Sequence, residues 1–191
     1  MYTTDAIILR KEELGEADLL ITALTERFVN IRLVAQGARK VEAKLKGHLE
    51  PLSLSRLSFV PGRNNYRLVG AQLLDFFVNV KKDPARLAVA AEISKAVGSA
   101  LFEDRREENG NFFAIALEAL NLLNDPSRSP EEYKTGLLWF RARFLDELGL
   151  FPEPKASRLQ LSCAEFATVG EASEAIRLTE LTARLFAEHL V

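Results

Sequence analysis

The sequence predicts an α+β protein in which an N-terminal OB-type five-stranded β-barrel is followed by an all-α helical bundle. Two observations lead to this prediction. Up to about residue 73, apolar residues alternate with polar ones in short runs separated by turn residues, which is the pattern of β-strands. From about residue 75 the apolar residues recur every three or four positions, which is the pattern of amphipathic helices. We therefore expect two domains, residues 1–80 and residues 81–191.

Five segments of the first domain have strand character: residues 4–10, 19–25, 29–35, 52–59 and 66–73. A polar turn is expected at Lys11–Glu16, where Gly15 suits a positive φ, and Pro61–Asn65 has the composition of a tight turn. Residues 38–48 are predicted to form a short basic helix or loop between the third and fourth strands. Five short strands with such an insertion fit an OB-type Greek-key barrel.

Capping residues mark the helices of the second domain. Asp83 precedes Pro84 at one start, and Ser129, Pro130 and Glu132 form a capping box at another. The predicted helices are residues 84–102, 112–123, 130–148 and 171–190. Aromatic residues at helical spacing are expected in the core and not in a cofactor site: Phe112, Phe113, Trp139, Phe140 and Phe144.

Composition narrows the function classes. The chain has 191 residues, of which 48% are hydrophobic, as a globular protein requires, and its net charge is −2. Residues 1–82 carry 13 Lys and Arg against 9 Asp and Glu, whereas residues 83–191 carry 12 against 18. The single Cys163 excludes an internal disulfide, and with two histidines it cannot supply a four-ligand zinc site. We expect neither a metal nor a cofactor.

The start of the chain lacks the basic flank and apolar core of a signal peptide. No apolar run approaches the ~20 residues that a membrane span requires. We expect a cytoplasmic monomer with no membrane partner.

Residues 36–51 are the most informative stretch of the chain. Four cations and one acid lie between Gly37 and Gly47, and the cations are Arg39, Lys40, Lys44 and Lys46. Because an unpaired charge is too costly to bury, such a segment is expected to stay out of the core and to present a positive surface to phosphate. Arg32 on the preceding strand extends this surface, and His48 is expected as a surface imidazole. The alternative is a solvated basic loop that serves solubility.

A second candidate contact surrounds the turn between the fourth and fifth strands, from which OB barrels also contact oligonucleotides. Arg63 and Arg67 supply cations there, and Tyr66 supplies a ring on which a base could stack. The alternative for Tyr66 is packing against a neighbouring strand.

The sequence contains no recognisable catalytic constellation. It lacks a Gly-rich phosphate loop, a nucleophile elbow and a His-carboxylate spacing. Its paired glutamates lie in turns or first helical turns, where they stay hydrated or complement the helix dipole. The chain is therefore not expected to be an enzyme.

Several short motifs follow one another in a specific order along the chain. In the first half they are residues 6–10 (Ala-Ile-Ile-Leu-Arg), 15–18 (Gly-Glu-Ala-Asp), 24–25 (Leu-Thr), 37–40 (Gly-Ala-Arg-Lys) and 47–51 (Gly-His-Leu-Glu-Pro). In the second half they are residues 138–140 (Leu-Trp-Phe) and 148–152 (Leu-Gly-Leu-Phe-Pro). In this order the motifs resemble the RecO family of bacterial recombination mediators, and the resemblance covers most of the chain.

The resemblance implies a non-enzymatic, nucleoid-associated protein of the bacterial cytoplasm. It implies binding of single- and double-stranded DNA through the barrel, annealing of complementary strands, and help to RecR in loading the RecA recombinase. It also implies that the helical domain receives the acidic C-terminal tail of single-stranded DNA-binding protein, for which Lys134, Arg141 and Arg143 could supply cations. The alternative is a protein-interaction adaptor that acts through the helical domain, with weak or lost DNA binding.

One departure from the family concerns zinc. Many members hold zinc with two Cys-x-x-Cys pairs, but residues 163–166 read Cys-Ala-Glu-Phe and the second pair is missing. We therefore expect a degenerate, zinc-less segment around residues 151–170.

Overall fold

The computed structural model describes residues 1–39, 45–63, 65–100, 111–150, 162, 163 and 184, with the side chain of Lys46 excepted. The chain divides into two compact units. The described part of the first lies within residues 1–77, and that of the second lies within residues 78–100 and 110–191.

The first unit is a closed barrel of five strands, β1 (Tyr2–Leu14), β2 (Asp18–Thr25), β3 (Val29–Ala35), β4 (Leu54–Val60) and β5 (Tyr66–Asp75). A 3₁₀ helix at Lys46–His48 lies between β3 and β4. Neighbouring strands follow the order β1-β2-β3-β5-β4, and β4 closes the barrel on β1. The β3–β5 pair is parallel and the other pairs are antiparallel. The predicted OB-type barrel is confirmed.

The first strand is longer than predicted because it pairs on both of its edges. Residues Tyr2–Ile7 pair with β4, and Ala6–Leu14 pair with β2, with a register shift near the middle of the strand. Such a shift bends a strand so that it can serve two neighbours. The predicted polar turn at Lys11–Glu16 is therefore wrong in extent, since ladder pairing with β2 continues to Leu14. The turn itself begins at Gly15, which has a φ of +61°.

Alternate strand residues fill the barrel interior. The buried cluster comprises Ala6, Ile8, Leu19, Ile21, Ala23, Ile31, Leu33, Ala35, Ala38, Leu49, Leu57, Phe59 and Leu68. Ala38 and Leu49 belong to the connection between β3 and β4. The expectation that residues 36–51 stay out of the core is therefore wrong for these two positions. Apolar side chains gain ~25 cal/mol per Å² on burial, whatever the charge of their neighbours.

The described part of the second unit includes the helices α1 (Val78–Lys82), α2 (Pro84–Ala100), α3 (Phe112–Asn124) and α4 (Pro130–Glu147). Helix α1 was not predicted, since five residues are too few for a helical period to show. The predicted helix at 171–190 and nearly all of the segment 151–170 lie outside the described residues. None of the described helices combines the length and the apolar character that crossing a bilayer requires.

Helices α3 and α4 share an aromatic core. Phe140 and Phe144 stack with their ring centroids 5.3 Å apart, and Phe112 meets Phe144 edge-on at 5.3 Å. Trp139 is also buried, and Phe113 is half-buried. The prediction that these rings form a core is confirmed for the four buried ones.

Arg86 of α2 is a buried cation whose side chain contacts the C-terminal end of α3. Its Nη1 donates hydrogen bonds to the carbonyl oxygens of Leu123 (2.8 Å) and Asp125 (2.7 Å). Its Nε lies 3.3 Å from Oδ2 of Asp83, and its guanidinium carbon lies 4.5 Å from the centre of the Tyr133 ring. The last carbonyls of a helix lack intrahelical partners and carry partial negative charge. Arg86 satisfies this need at the end of α3.

The predicted capping box at the start of α4 is present. Ser129 Oγ accepts a hydrogen bond from the Glu132 backbone N–H at 3.4 Å, and Glu132 Oε2 accepts one from the Ser129 N–H at 2.8 Å. Arg128 Nη1 donates to Glu132 Oε1 at 2.7 Å. These hydrogen bonds lower the pKa of Glu132 to about 2. The bond from the Ser129 N–H has the largest effect, and the bond from Arg128 has the next largest.

We expect the helical unit to lose stability in acid through Glu132. The pKa of Glu132 is about 2 in the folded state and ordinarily 4.5. The ionised carboxylate therefore makes its full contribution to stability when the pH is above about 4.5. The contribution disappears as the pH falls from about 4.5 towards 2. Between about pH 6 and about pH 3, the Tm should fall more steeply in the wild type than in Glu132→Gln, which cannot ionise. Parallel curves would show that Glu132 does not contribute.

Candidate nucleic-acid interface

One end of the barrel gathers the segments for which the sequence predicts DNA contacts. Ala35, at the end of β3, pairs with Leu19 of β2, and Val34 pairs with Arg67 of β5. The β1–β2 turn, the connection after β3 and the β4–β5 turn therefore meet around the end of β3. OB barrels bind oligonucleotides through the β2–β3 face and the two corresponding turns. We call this region the β3 end and define it by residues 13–18, 34–39, 61–63 and 65–67.

Arg39 attaches the connection after β3 to the β1–β2 turn. Its backbone N–H donates to the carbonyl oxygen of Ala17 (2.9 Å), and its Nη1 donates to that of Gly15 (2.8 Å). Its Nη2 lies 3.0 Å from Glu13 Oε2, and the two side chains are 32% and 70% exposed. An exposed ion pair is worth only ~0–1 kcal/mol, so a phosphate could replace Glu13 at little cost. Arg39 thus holds the connection after β3 to the β1–β2 turn and also presents a cation at the surface.

Asp18 and Gly37 fix the same connection from the other side. Asp18 Oδ1 accepts a hydrogen bond from the Gly37 backbone N–H at 2.8 Å. Gly37 has a φ of +68°, which residues with a Cβ adopt only at a cost. These two residues direct the chain away from β3 and onto the β1–β2 turn. The sequence alone does not reveal this role of Gly37, because its contact with Asp18 depends on the register of β2 and β3.

The stretch between Gly37 and Gly47, which we call the basic segment, is attached to the barrel on both sides. Arg39 holds one side, and the 3₁₀ helix that starts at Lys46 leads into the buried Leu49 on the other. Lys40 and Lys44 lie outside the described residues, and only the backbone of Lys46 is described. Phosphate binding by the three lysines stays a prediction.

His48 is not the surface imidazole that the sequence suggested. Its ring is half-buried, and its Nδ1 accepts a hydrogen bond from the Leu73 backbone N–H at 3.2 Å. Its carbonyl oxygen accepts one from the Ser55 hydroxyl at 2.7 Å. Leu73 lies at a register shift between β4 and β5, where the ladder is interrupted and a backbone donor needs another partner. The imidazole supplies that partner.

Arg63, Tyr66 and Arg67 lie together around a pocket of about 350 Å³. Val34 and Gln36 line the same pocket from β3 and the connection that follows it. The arginines are exposed, so their guanidinium groups are accessible to an anion. The residues of the second predicted contact therefore lie around one concavity, and DNA binding there stays a prediction.

Tyr66 is also part of an aromatic cluster. Its ring lies edge-on to Phe59 with 4.9 Å between centroids, and edge-on to Tyr2 with 6.4 Å between centroids. Of the two interpretations that the sequence leaves open, packing against neighbouring strands is confirmed. Base stacking stays a prediction. The ring packs against the barrel core, and Arg67, the next residue of β5, points to the opposite face of the strand.

Arg32 lies on the outer surface of β3. Its neighbours Ile31 and Leu33 belong to the buried cluster, and successive residues of a strand point to opposite faces. Arg32 pairs with Thr22 of β2 and is half-buried. It therefore stands on the β2–β3 face, on the same side of the strand as Val34. A role in DNA binding stays a prediction for Arg32.

Four residues that line the pocket were not predicted as site residues: Val34, Gln36, Gly62 and Asn65. The alternation along β3 does place Val34 on the face that carries Arg32, so one part of the signal is local. The other part is the parallel pairing of β3 with β5, which brings Arg67 beside Val34. No local pattern encodes that pairing.

The cations considered for a peptide groove in the helical unit each face a carboxylate. The ion pairs are Arg141–Glu92 at 2.6 Å, Arg143–Asp146 at 4.0 Å and Lys134–Glu131 at 3.2 Å. Trp139, which lies between them on α4, is 2% exposed and belongs to the core. A peptide at this helix would have to displace these carboxylates.

Cys163 is a core residue. Its Sγ lies 3.9 Å from the carbonyl oxygen of Gly136, and burial raises the pKa of its thiol. Within the described ranges, no group of three or more His, Cys, Asp or Glu side chains is placed to hold a metal ion. A buried protonated thiol acts as a small apolar group and not as a ligand.

Residues 1–77 match the family model described as "Recombination protein O N terminal". The DNA repair protein RecO of Roseiflexus sp. (strain RS-1) is 33% identical over 153 residues, which cover 80% of this chain and 52% of that protein. The protein of the same name from Heliobacterium modesticaldum is 30% identical over 165 residues, covering 86% and 56%. That from Thermodesulfovibrio yellowstonii is 28% identical over 155 residues, covering 81% and 60%. The chain thus spans a little over half the length of these relatives.

Proposed function

Because the chain belongs to the RecO family, we propose that it acts in DNA repair as a non-enzymatic, DNA-binding recombination mediator. The proposed DNA-binding surface is the β3 end together with the three lysines that follow it, Lys40, Lys44 and Lys46. One observation carries this proposal: the closed barrel brings Arg39, Arg63 and Arg67 around the end of β3, where OB barrels bind single strands. The relatives are DNA repair proteins, which supports the role in repair.

Phosphate neutralisation is the physical basis of the proposal. Cations that bind phosphates release condensed counterions, which makes binding favourable and dependent on salt. The excess of cations in residues 1–82 supports binding by the barrel. When two strands lie on the same cationic surface, their mutual repulsion falls while their bases pair. In this way we propose that the protein binds both single- and double-stranded DNA and anneals complementary strands.

The helical unit is the proposed site of protein contacts. Residues 1–80 would form the DNA-binding domain and residues 81–191 the partner-binding domain, a division that the two compact units support. The proposed partners are RecR and the acidic C-terminal tail of single-stranded DNA-binding protein. An acidic tail could replace the carboxylates that now face Lys134, Arg141 and Arg143. With RecR, the protein would assist the loading of RecA onto DNA.

The alternative function is a protein-interaction adaptor with weak or lost DNA binding. One observation favours it: Arg39, a central cation of the predicted surface, already has Glu13 as an ion-pair partner. The two functions differ in their response to salt, because an adaptor without phosphate contacts has no counterions to release.

A salt titration tests the DNA-binding proposal. For about four phosphate contacts on a single strand, log Kobs should fall against log [salt] with a slope of roughly −3. Fluorescence anisotropy of a labelled oligonucleotide, measured from about 50 to about 200 mM salt, gives this slope. An affinity independent of salt, or no binding at the lowest salt, would contradict the proposal and favour the adaptor.

A further inference from the structure

We propose that Glu13 is an intramolecular competitor of DNA, whose carboxylate occupies the guanidinium of Arg39 until a phosphate of the bound strand displaces it. The inference rests on the DNA-binding function proposed above and adds a regulatory contact to that site. Glu13 thereby keeps the affinity of the β3 end below the value that its cations alone would give. Differences in affinity at one interface lie mostly in the dissociation rate, so this competition favours release of DNA after annealing.

The barrel ladder places Glu13 on the inner face at the end of β1. Its Cα pairs with that of Leu19, a residue of the buried cluster. Lys11 is placed in the same way, opposite the buried Ile21. Residues directly opposite each other in an antiparallel pair point to the same face of the sheet. Two side chains of opposite charge therefore follow each other on the inner face, where the strand reaches the end of the barrel.

Lys11 and Glu13 each form an ion pair with the connection between β3 and β4. Lys11 Nζ lies 2.6 Å from Oε1 of Glu50, near the end of that connection. Glu13 Oε2 lies 3.0 Å from Nη2 of Arg39, near its start. The side chains are 24% and 38% exposed in the first pair, but 32% and 70% exposed in the second. Water screens the second pair more strongly, so an incoming anion displaces it more easily.

Displacement of Glu13 leaves Arg39 in position. Its Nη1 still donates to the carbonyl oxygen of Gly15 at 2.8 Å, and its backbone N–H still donates to that of Ala17 at 2.9 Å. A guanidinium carries five N–H donors, whose geometry matches phosphate as well as carboxylate. A phosphate can therefore take the place of the carboxylate while the β1–β2 turn keeps its attachment to the connection after β3.

Anisotropy titrations of the full-length chain with a labelled single-stranded oligonucleotide test the inference. We expect Glu13→Gln to raise the affinity about 5-fold at about 0.1 M salt, since a phosphate no longer has to displace a carboxylate. The substitution keeps an amide oxygen that can accept a hydrogen bond from Arg39, so the turn stays attached.

Glu16→Gln is the matched control. Glu16 is exposed in the β1–β2 turn and has no ion-pair partner among the residues that the structure describes. Both substitutions remove one negative charge from the same end of the barrel, so the long-range attraction of DNA changes similarly. We expect a gain of less than about 2-fold in Glu16→Gln. Equal gains, or no gain in Glu13→Gln, would overturn the inference and leave the proposed function standing. No DNA binding by the wild type would refute both.

A double-mutant cycle ties the gain to Arg39. In an Arg39→Ala background, Glu13→Gln should raise the affinity no more than Glu16→Gln does, because the carboxylate has no guanidinium left to occupy. A gain of about 5-fold that persists without the arginine would contradict the competition. Circular dichroism establishes whether Arg39→Ala folds. If it does not, the comparison of Glu13→Gln with Glu16→Gln in the otherwise unchanged chain decides.

Discussion

Replacing Arg86 by methionine should lower the free energy of unfolding of the helical unit by about 3 kcal/mol. The substitution keeps much of the side-chain volume but removes the charged donor. Two carbonyl oxygens at the end of α3, those of Leu123 and Asp125, would lose the guanidinium that satisfies them. Asp83 would lose its ion pair, and Tyr133 would lose the cation beside its ring. Removing one partner of a buried polar network costs more than the network contributes net, because the remaining groups stay desolvated.

Tryptophan fluorescence during urea unfolding measures this loss. The chain has one tryptophan, Trp139, which is buried in the helical unit, so the signal reports on that unit. Arg86→Lys should keep only part of the stability, because an ammonium cannot present the same planar set of donors. Lys134→Met is the matched control, since its exposed pair with Glu131 is worth ~0.5 kcal/mol or less. A loss in Arg86→Met no larger than in the control would contradict the role assigned to Arg86.

Replacing Lys40, Lys44 and Lys46 by alanine should weaken single-stranded DNA binding about 100-fold at about 0.1 M salt. Each phosphate contact on a single strand contributes ~0.7 to the log–log salt slope, so three contacts contribute about two decades between 1 M and 0.1 M salt. The slope of log Kobs against log [salt] should accordingly become shallower, from roughly −3 in the wild type to roughly −1 in the variant. Replacing Arg39 as well should abolish most of the affinity.

The three-lysine variant is the cleaner experiment because Arg39 also has a structural role. Its contacts with Gly15 and Glu13 hold the connection after β3 to the β1–β2 turn, so its removal loosens that turn in addition to removing a charge. The matched control replaces three exposed lysines of the helical unit, Lys82, Lys95 and Lys134. If both triple variants lose the same affinity, the basic segment is not the DNA-binding element.

Much of the fold could be predicted from the sequence because it depends on patterns among residues that are close together in the chain. The alternation along β3 identifies its inner and outer faces, since a strand has a period of two. The Ser129–Glu132 spacing identifies the start of α4, since a capping box satisfies backbone donors within one turn. Gly15 marks a turn, and its positive φ confirms the reason.

Features that depend on distant partners were missed. The length of β1 depends on β2 and β4, which pair with its two ends. The position of His48 depends on a backbone donor of Leu73. Arg86 is an ordinary helical cation in the sequence, and its burial follows only from the end of α3 lying against it. In each case the decisive contact joins residues far apart in the chain.

The sequence by itself determined which residues could form a nucleic-acid interface and on which face of β3 some of them stand. Only the tertiary structure decided which of them meet. It joined Arg63, Tyr66 and Arg67 with Val34 in one pocket, and it gave Arg39 a carboxylate partner. The physical reason is that side-chain periodicity is a property of single strands, whereas closure of the barrel through the parallel β3–β5 pair is a property of the whole chain.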